Sequence, residues 1–64
     1  MSETELQQRA FILSSFRRQN ISITTSVYQF ADKVIKENWA PHRGKLEQVD
    51  QEINNKYKDF LANR

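Results

Sequence analysis

The sequence predicts an all-α domain: either a small three-helix bundle, or a helical hairpin with a long first helix and a shorter second that completes a bundle with a partner chain. Two observations carry this. Apolar residues recur at helical spacing in three stretches, about 3–18, 26–39 and 45–62, and the only Pro and only Gly of the chain fall close together at Pro41 and Gly44. At 64 residues the chain holds one domain at most, spanning 1–64.

The first helix starts at a capping box, Ser2-x-x-Glu5, whose hydroxyl and carboxylate satisfy free backbone N–H groups at a helix start. Leu6, Ala10, Ile12, Leu13 and Phe16 then share a face about 160° wide, which carries the helix to Arg18. Phe11 lies on the far side of that stripe, and Arg17 projects close to it.

Residues 19–25, QNISITT, leave two readings open. Asn, Ser and Thr offer the backbone alternative hydrogen bonds, and β-branched residues lower helix propensity; this predicts a break, with Thr25 or Ser26 capping the next helix and Gln29 completing a second capping box. The opposing signal is the series Leu6, Ala10, Leu13, Phe16, Asn20, Ile23, Val27, Phe30, Val34, which keeps a mean spacing of about 3.5 residues. That is the coiled-coil period, and a single Asn20 in such a seam would set its register. One unbroken helix through this region would be about 50 Å long and would need another chain to cover it.

The segment from Ser26 to Trp39 is the most strongly two-faced. Val27, Tyr28, Phe30, Ala31, Val34 and Ile35 span about 160°, with Gln29, Asp32, Lys33, Lys36 and Glu37 opposite. An apolar arc that wide needs more than one neighbour. The residue before Pro41 avoids the α region, so the helix ends by Ala40, and Pro41 to Gly44 is a turn. In the last helix Leu46, Val49, Ile53, Tyr57, Phe60 and Leu61 lie within about 120°. Glu52 and Lys56 are spaced to pair, and Glu47, Gln48, Gln51, Asn54, Asn55 and Lys58 form a solvated outer face.

Composition excludes much. With no Cys and one His, neither disulfides nor a metal can staple this small chain, which leaves association with a partner as the available reinforcement. No apolar run exceeds four residues, too short for a spanning helix or a signal-peptide core, and a soluble intracellular protein is expected. Asn20-Ile21-Ser22 matches a glycosylation sequon, read as incidental without a secretory signal. Ten Lys and Arg against eight Asp and Glu give +2, spread along the chain without a basic tail.

Nothing in the sequence carries catalytic chemistry. His42 has no Cys, Ser or carboxylate at motif spacing, Ser14 and Ser15 have no base nearby, Asp32 and Glu37 lie about 140° apart on their helix, and Gly is too scarce for a phosphate loop. The expectation is therefore a protein that is not an enzyme and binds no cofactor or metal. A non-enzymatic protein–protein interaction module is expected instead, a small subunit or regulatory adaptor that packs helix on helix against itself or another chain. Leu6, Leu13, Phe16, Ile23, Val27, Phe30 and Val34 would supply the contact, with Asn20 setting register and Phe11 and Trp39 as anchors. Trp39 has a purely structural alternative as a lid packed on Leu46. On this reading the isolated chain is oligomeric or only partly folded.

The alternative is a small helical nucleic-acid-binding regulator using Arg17, Arg18, Arg43 and Lys45 on phosphates. It is the weaker reading, because the two basic pairs fall at different junctions and Asp32 and Glu37 interrupt the face that would enter a groove. A membrane-surface helix is not expected, since the polar faces carry both signs of charge.

Overall fold

In the computed structural model, which describes residues 3–63, the chain forms α1 (Glu3–Arg18), α2 (Thr25–Lys36) and α3 (Leu46–Ala62), with no strand among the described residues. The capping-box serine, Ser2, lies outside the described residues. The three-helix alternative is the one realised. The long first helix is corrected, because α1 and α2 are separated by a connection over 19–24.

Asn20 makes that separation. Its φ of 59° is left-handed. The Asn20 N–H then reaches the Arg17 carbonyl at 3.0 Å and the Ile21 N–H reaches the Phe16 carbonyl at 2.9 Å, the two bonds of a Schellman stop. So Asn20 is a helix terminator, not a register residue inside a seam; Asn tolerates this conformation better than other non-glycine residues because its short amide can hydrogen-bond locally. The same device ends α2. Asn38 has φ 56°, its N–H reaches the Ile35 carbonyl at 3.1 Å, and the Trp39 N–H reaches the Val34 carbonyl at 2.9 Å. In both stops the residue after Asn is apolar, and Ile21 and Trp39 pack back onto the core. Helix α2 consequently closes at Lys36, before the expected Trp39. Its N-cap is Thr24 in an extended conformation, one residue ahead of the expected Thr25 and two ahead of the expected Ser26, and no side-chain cap bond is made by Thr24. The lone Gly44 takes no positive φ.

Helices α1 and α2 run antiparallel: Arg9 pairs with Asp32 and Phe16 meets Phe30. Helices α1 and α3 run parallel, with contacts at a fixed offset of 35 residues, Ser15 to Asp50 and Gln19 to Asn54. The core comprises Ile12, Phe16, Val27, Phe30, Ala31, Val34, Val49 and Ile53. At its centre Phe30 meets Phe16, Tyr57 and Phe60 at centroid distances of 5.9, 5.2 and 5.7 Å, with inclined rings that bring edges toward faces. Much of the apolar seam is thereby consumed inside one chain. Phe16, Val27, Phe30 and Val34 are buried, and Leu13 and Ile23 lie half-buried against them.

Helix α1 is rolled by about 80° from the orientation its apolar stripe suggests. Leu6 is 53% exposed and Ala10 is exposed, whereas Ser15 is fully buried. The reason is that α1 must face two neighbours at once. Phe16 lies between the two, against Phe30 of α2 at 5.9 Å and Tyr57 of α3 at 5.0 Å, and Ser15 and Gln19 take the rest of the side toward α3. Three further expectations change with it. Leu46 and Leu61 are 57% and 39% exposed and do not join the core. Asn54 is half-buried, its amide donating to Gln19 Oε1 at 2.9 Å. Glu52 turns to His42, and Lys56 lies over the Trp39 ring at 5.6 Å; the i,i+4 pair that forms is Lys33 with Glu37.

Candidate functional site

The chain from Glu37 to Lys45 doubles back from α2 into α3, and two fixed points shape it. At one end the Asn38 stop turns Trp39 inward, where it packs against the core beneath Lys56. Trp39 is thus half-buried and a lid, but over the core and not over Leu46, which is exposed. At the other end the Glu52 carboxylate on α3 takes hold of the turn. One oxygen accepts the His42 backbone N–H at 3.0 Å and the other lies 2.8 Å from the His42 Nδ1. The hydrogen bond and the charge of Glu52 push the His42 imidazole above its ordinary pKa, and His42 holds Glu52 below the usual carboxylate range. The His42 side chain is itself 93% exposed, so the clamp acts on the backbone of the turn more than on any buried group.

Between this connection and α1 lies a groove. Phe11 of α1, Pro41 and Arg43 of the connection, and Leu46 and Val49 of α3 line a concavity of about 450 Å³. A second concavity of about 290 Å³ adjoins it, sharing Phe11, Pro41 and Arg43 and reaching Ile12 and Trp39. Ile12 and Val49 are buried at 3% and 4%, whereas Phe11 and Leu46 are 43% and 57% exposed. The floor is part of the core and the walls are apolar side chains in water.

Phe11, Trp39 and Arg43, singled out in sequence for three different reasons, therefore come together around one groove. The other candidates do not. Leu6 is exposed on the part of α1 turned away from Ile12 and Ser15; Phe16, Val27, Phe30 and Val34 are interior; Leu13 and Ile23 are half-buried on the core; Asn20 ends α1. Of the four basic residues, Arg17 is exposed at the end of α1, and Arg18 forks onto Asp50, Nη2 to Oδ1 at 2.6 Å and Nε to Oδ2 at 3.1 Å. Arg43 and Lys45 belong to the other connection, Lys45 as the N-cap of α3. They do not form one basic patch.

Sequence reasoning missed Pro41 and Leu46 as wall residues and Glu52 as the clamp. It also missed the network between α1 and α3, in which the buried Ser15 hydroxyl donates to Asp50 Oδ1 at 2.7 Å and accepts from Gln19 Nε2 at 3.0 Å. The Arg18 hydrogen bonds, with those of Ser15, hold the Asp50 carboxyl below its usual range against the opposing effect of burial. One signal was available: an apolar residue following Asn at a helix end occurs twice, at Asn20-Ile21 and Asn38-Trp39, and marks where each helix stops and what it covers.

Among the described residues no three His, Asp or Glu gather as metal ligands would, and no helix is long and apolar enough to cross a membrane. Compared with family models, with curated proteins and with solved structures, the chain gives no match in any of the three. The functional reading rests on the site's own chemistry.

Proposed function

We propose that this chain is a non-enzymatic protein-interaction module, a small subunit or regulatory adaptor, and that it docks an apolar side chain from a partner's segment between Phe11 and Leu46. The observation that supports this reading is the pairing of two exposed large apolar walls with a buried floor on one groove. Exposed apolar side chains scattered singly need no explanation, but two lining one concavity bury area on a partner without any rearrangement of the core. A concavity of about 450 Å³ has room for one or two large side chains and little more.

The contact surface differs from the one the apolar seam suggested, because most of that seam is buried within the three helices. The test is selection of a displayed library of random 12-residue peptides on the full chain, with backbone amide shifts recorded for the enriched peptides. Saturable shifts centred on Phe11, Arg43 and Leu46, lost in Phe11→Ser, are expected. Enriched peptides that shift another face, or no enrichment over an unrelated helical protein, overturn the docking reading.

A further inference from the structure

Both concavities are lined without a single carboxylate. Their neutral polar groups are Gln8 in both and Thr4 and Gln7 in the smaller one, and the one permanently charged side chain lining them is Arg43, which lines both. No hydrogen bond or ion pair engages Arg43 among the described residues. Glu52, the acid that reaches this connection from α3, engages His42 with both carboxylate oxygens. Lys45, two residues along, adds a second positive charge to the connection, and a protonated His42 a third. The acid of the α3 first turn, Glu47, lines neither concavity.

From this charge pattern we infer that the groove selects acidic partners: the docked segment is a peptide stretch of another protein carrying an Asp or Glu carboxylate within a few residues of its apolar anchor. The inference rests on the docking reading above and adds the chemistry of the partner. Arg43 supplies the recognition. Its planar guanidinium presents a fork that a carboxylate fills with two parallel hydrogen bonds, while the apolar anchor lies between Phe11 and Leu46. A neutral segment would leave Arg43 solvated and gain only the apolar contact; a basic one would bring like charge beside Arg43 and Lys45.

The same peptide selection tests it, read now for composition. Enrichment of Asp or Glu beside an aromatic or aliphatic residue is expected. Arg43→Gln should weaken the enriched peptides about three- to tenfold, the range of a charge-assisted hydrogen bond discounted for solvent screening. Arg43→Glu should turn the selection toward Lys and Arg beside the same apolar anchor. Arg43 is exposed, so both variants are expected to keep the parent's circular dichroism and thermal midpoint. Peptides that map to the groove but show no acidic bias, or that bind Arg43→Gln as tightly as the parent, overturn this inference and leave the docking reading standing. Absence of any groove binder overturns both. A duplex DNA oligonucleotide titrated in low salt is the third arm: saturable binding that shifts Arg43 would replace an acidic peptide by phosphate as the groove's ligand.

Discussion

Helix α1 presents Phe16 to an aromatic cluster, edge-on to Phe30 of α2 at 5.9 Å and to Tyr57 of α3 at 5.0 Å; beside it, toward α3, it presents Ser15, whose hydroxyl donates to Asp50 at 2.7 Å. The two contacts divide the work of a small fold. The aromatic cluster stabilises through buried area and tolerates some sliding, because apolar contact has little direction. The polar seam adds less stability but fixes position. A slip of α3 by one turn would leave the buried Ser15 hydroxyl and the Asp50 carboxylate without partners, so the 35-residue offset is the one arrangement that satisfies both.

If that division holds, substitutions in the two regions should differ in size and in kind. The largest effect is expected for Phe30→Ala, which empties the centre of the core and should cost about 3–5 kcal/mol, enough to unfold much of so small a domain. Circular dichroism with urea titration measures it, and a loss below about 1 kcal/mol would show that the cluster is not the source of stability. Ser15→Ala should cost about 1–2 kcal/mol, because the residue is fully buried and its partners lose one bond each. Its sharper signature is in pH. Asp50 has a folded pKa below the unfolded value, so its contribution is present above about pH 4 and is lost as pH falls through the folded value. Asp50→Asn should therefore flatten the acid limb of the thermal midpoint against pH; an unchanged limb would mean the seam is not formed in solution.

The helix stops come next. Asn20→Ala and Asn38→Ala should each cost about 1 kcal/mol, since Cβ is crowded at positive φ, and the corresponding Gly variants should be neutral or stabilising. If Ala and Gly behave alike, the left-handed stops are not what separates the helices.

Smaller again is the clamp on the second connection. His42 titrates above its ordinary 6.5, so its contribution is full below that value and is lost as pH rises through the folded pKa. Glu52 titrates below its ordinary 4.5, so its contribution is present above that value and is lost as pH falls. The clamp is therefore complete only between those limits. His42→Ala should lower the thermal midpoint more at pH 6 than at pH 9, and an equal effect at both would remove the ionic part of the clamp. The smallest effect is expected for Leu6→Gln, within about 0.5 kcal/mol, because more than half of Leu6 is already in water. A large loss there would mean that a second chain covers this face.

Much of this was legible in the chain and some was not, for reasons that can be named residue by residue. Periodicity placed α1 to its last residue and α2 and α3 to within three at either end, because a helix writes its face into the spacing of its apolar residues. Phe11 stood out as facing away from its own stripe, and it is exposed. Leu6 and Leu46 obeyed the pattern and are exposed all the same: periodicity gives the direction of a side chain from its helix axis but not how far the neighbouring helix extends to cover it. The groove was readable only in pieces. Phe11, Trp39 and Arg43 carry no common motif and lie on three different parts of the chain, so nothing local could have joined them.

By itself the sequence determined three amphipathic stretches, a firm break at Pro41 to Gly44, and a chain that holds no cysteine, since these are matters of residue type and local spacing. The tertiary structure decided whether Asn20 continues a helix or ends one, which way α1 rolls, and which exposed apolar residues share a groove. The roll and the groove depend on contacts between residues far apart in the chain, such as Phe16 with Tyr57 and Ser15 with Asp50, which no local spacing records.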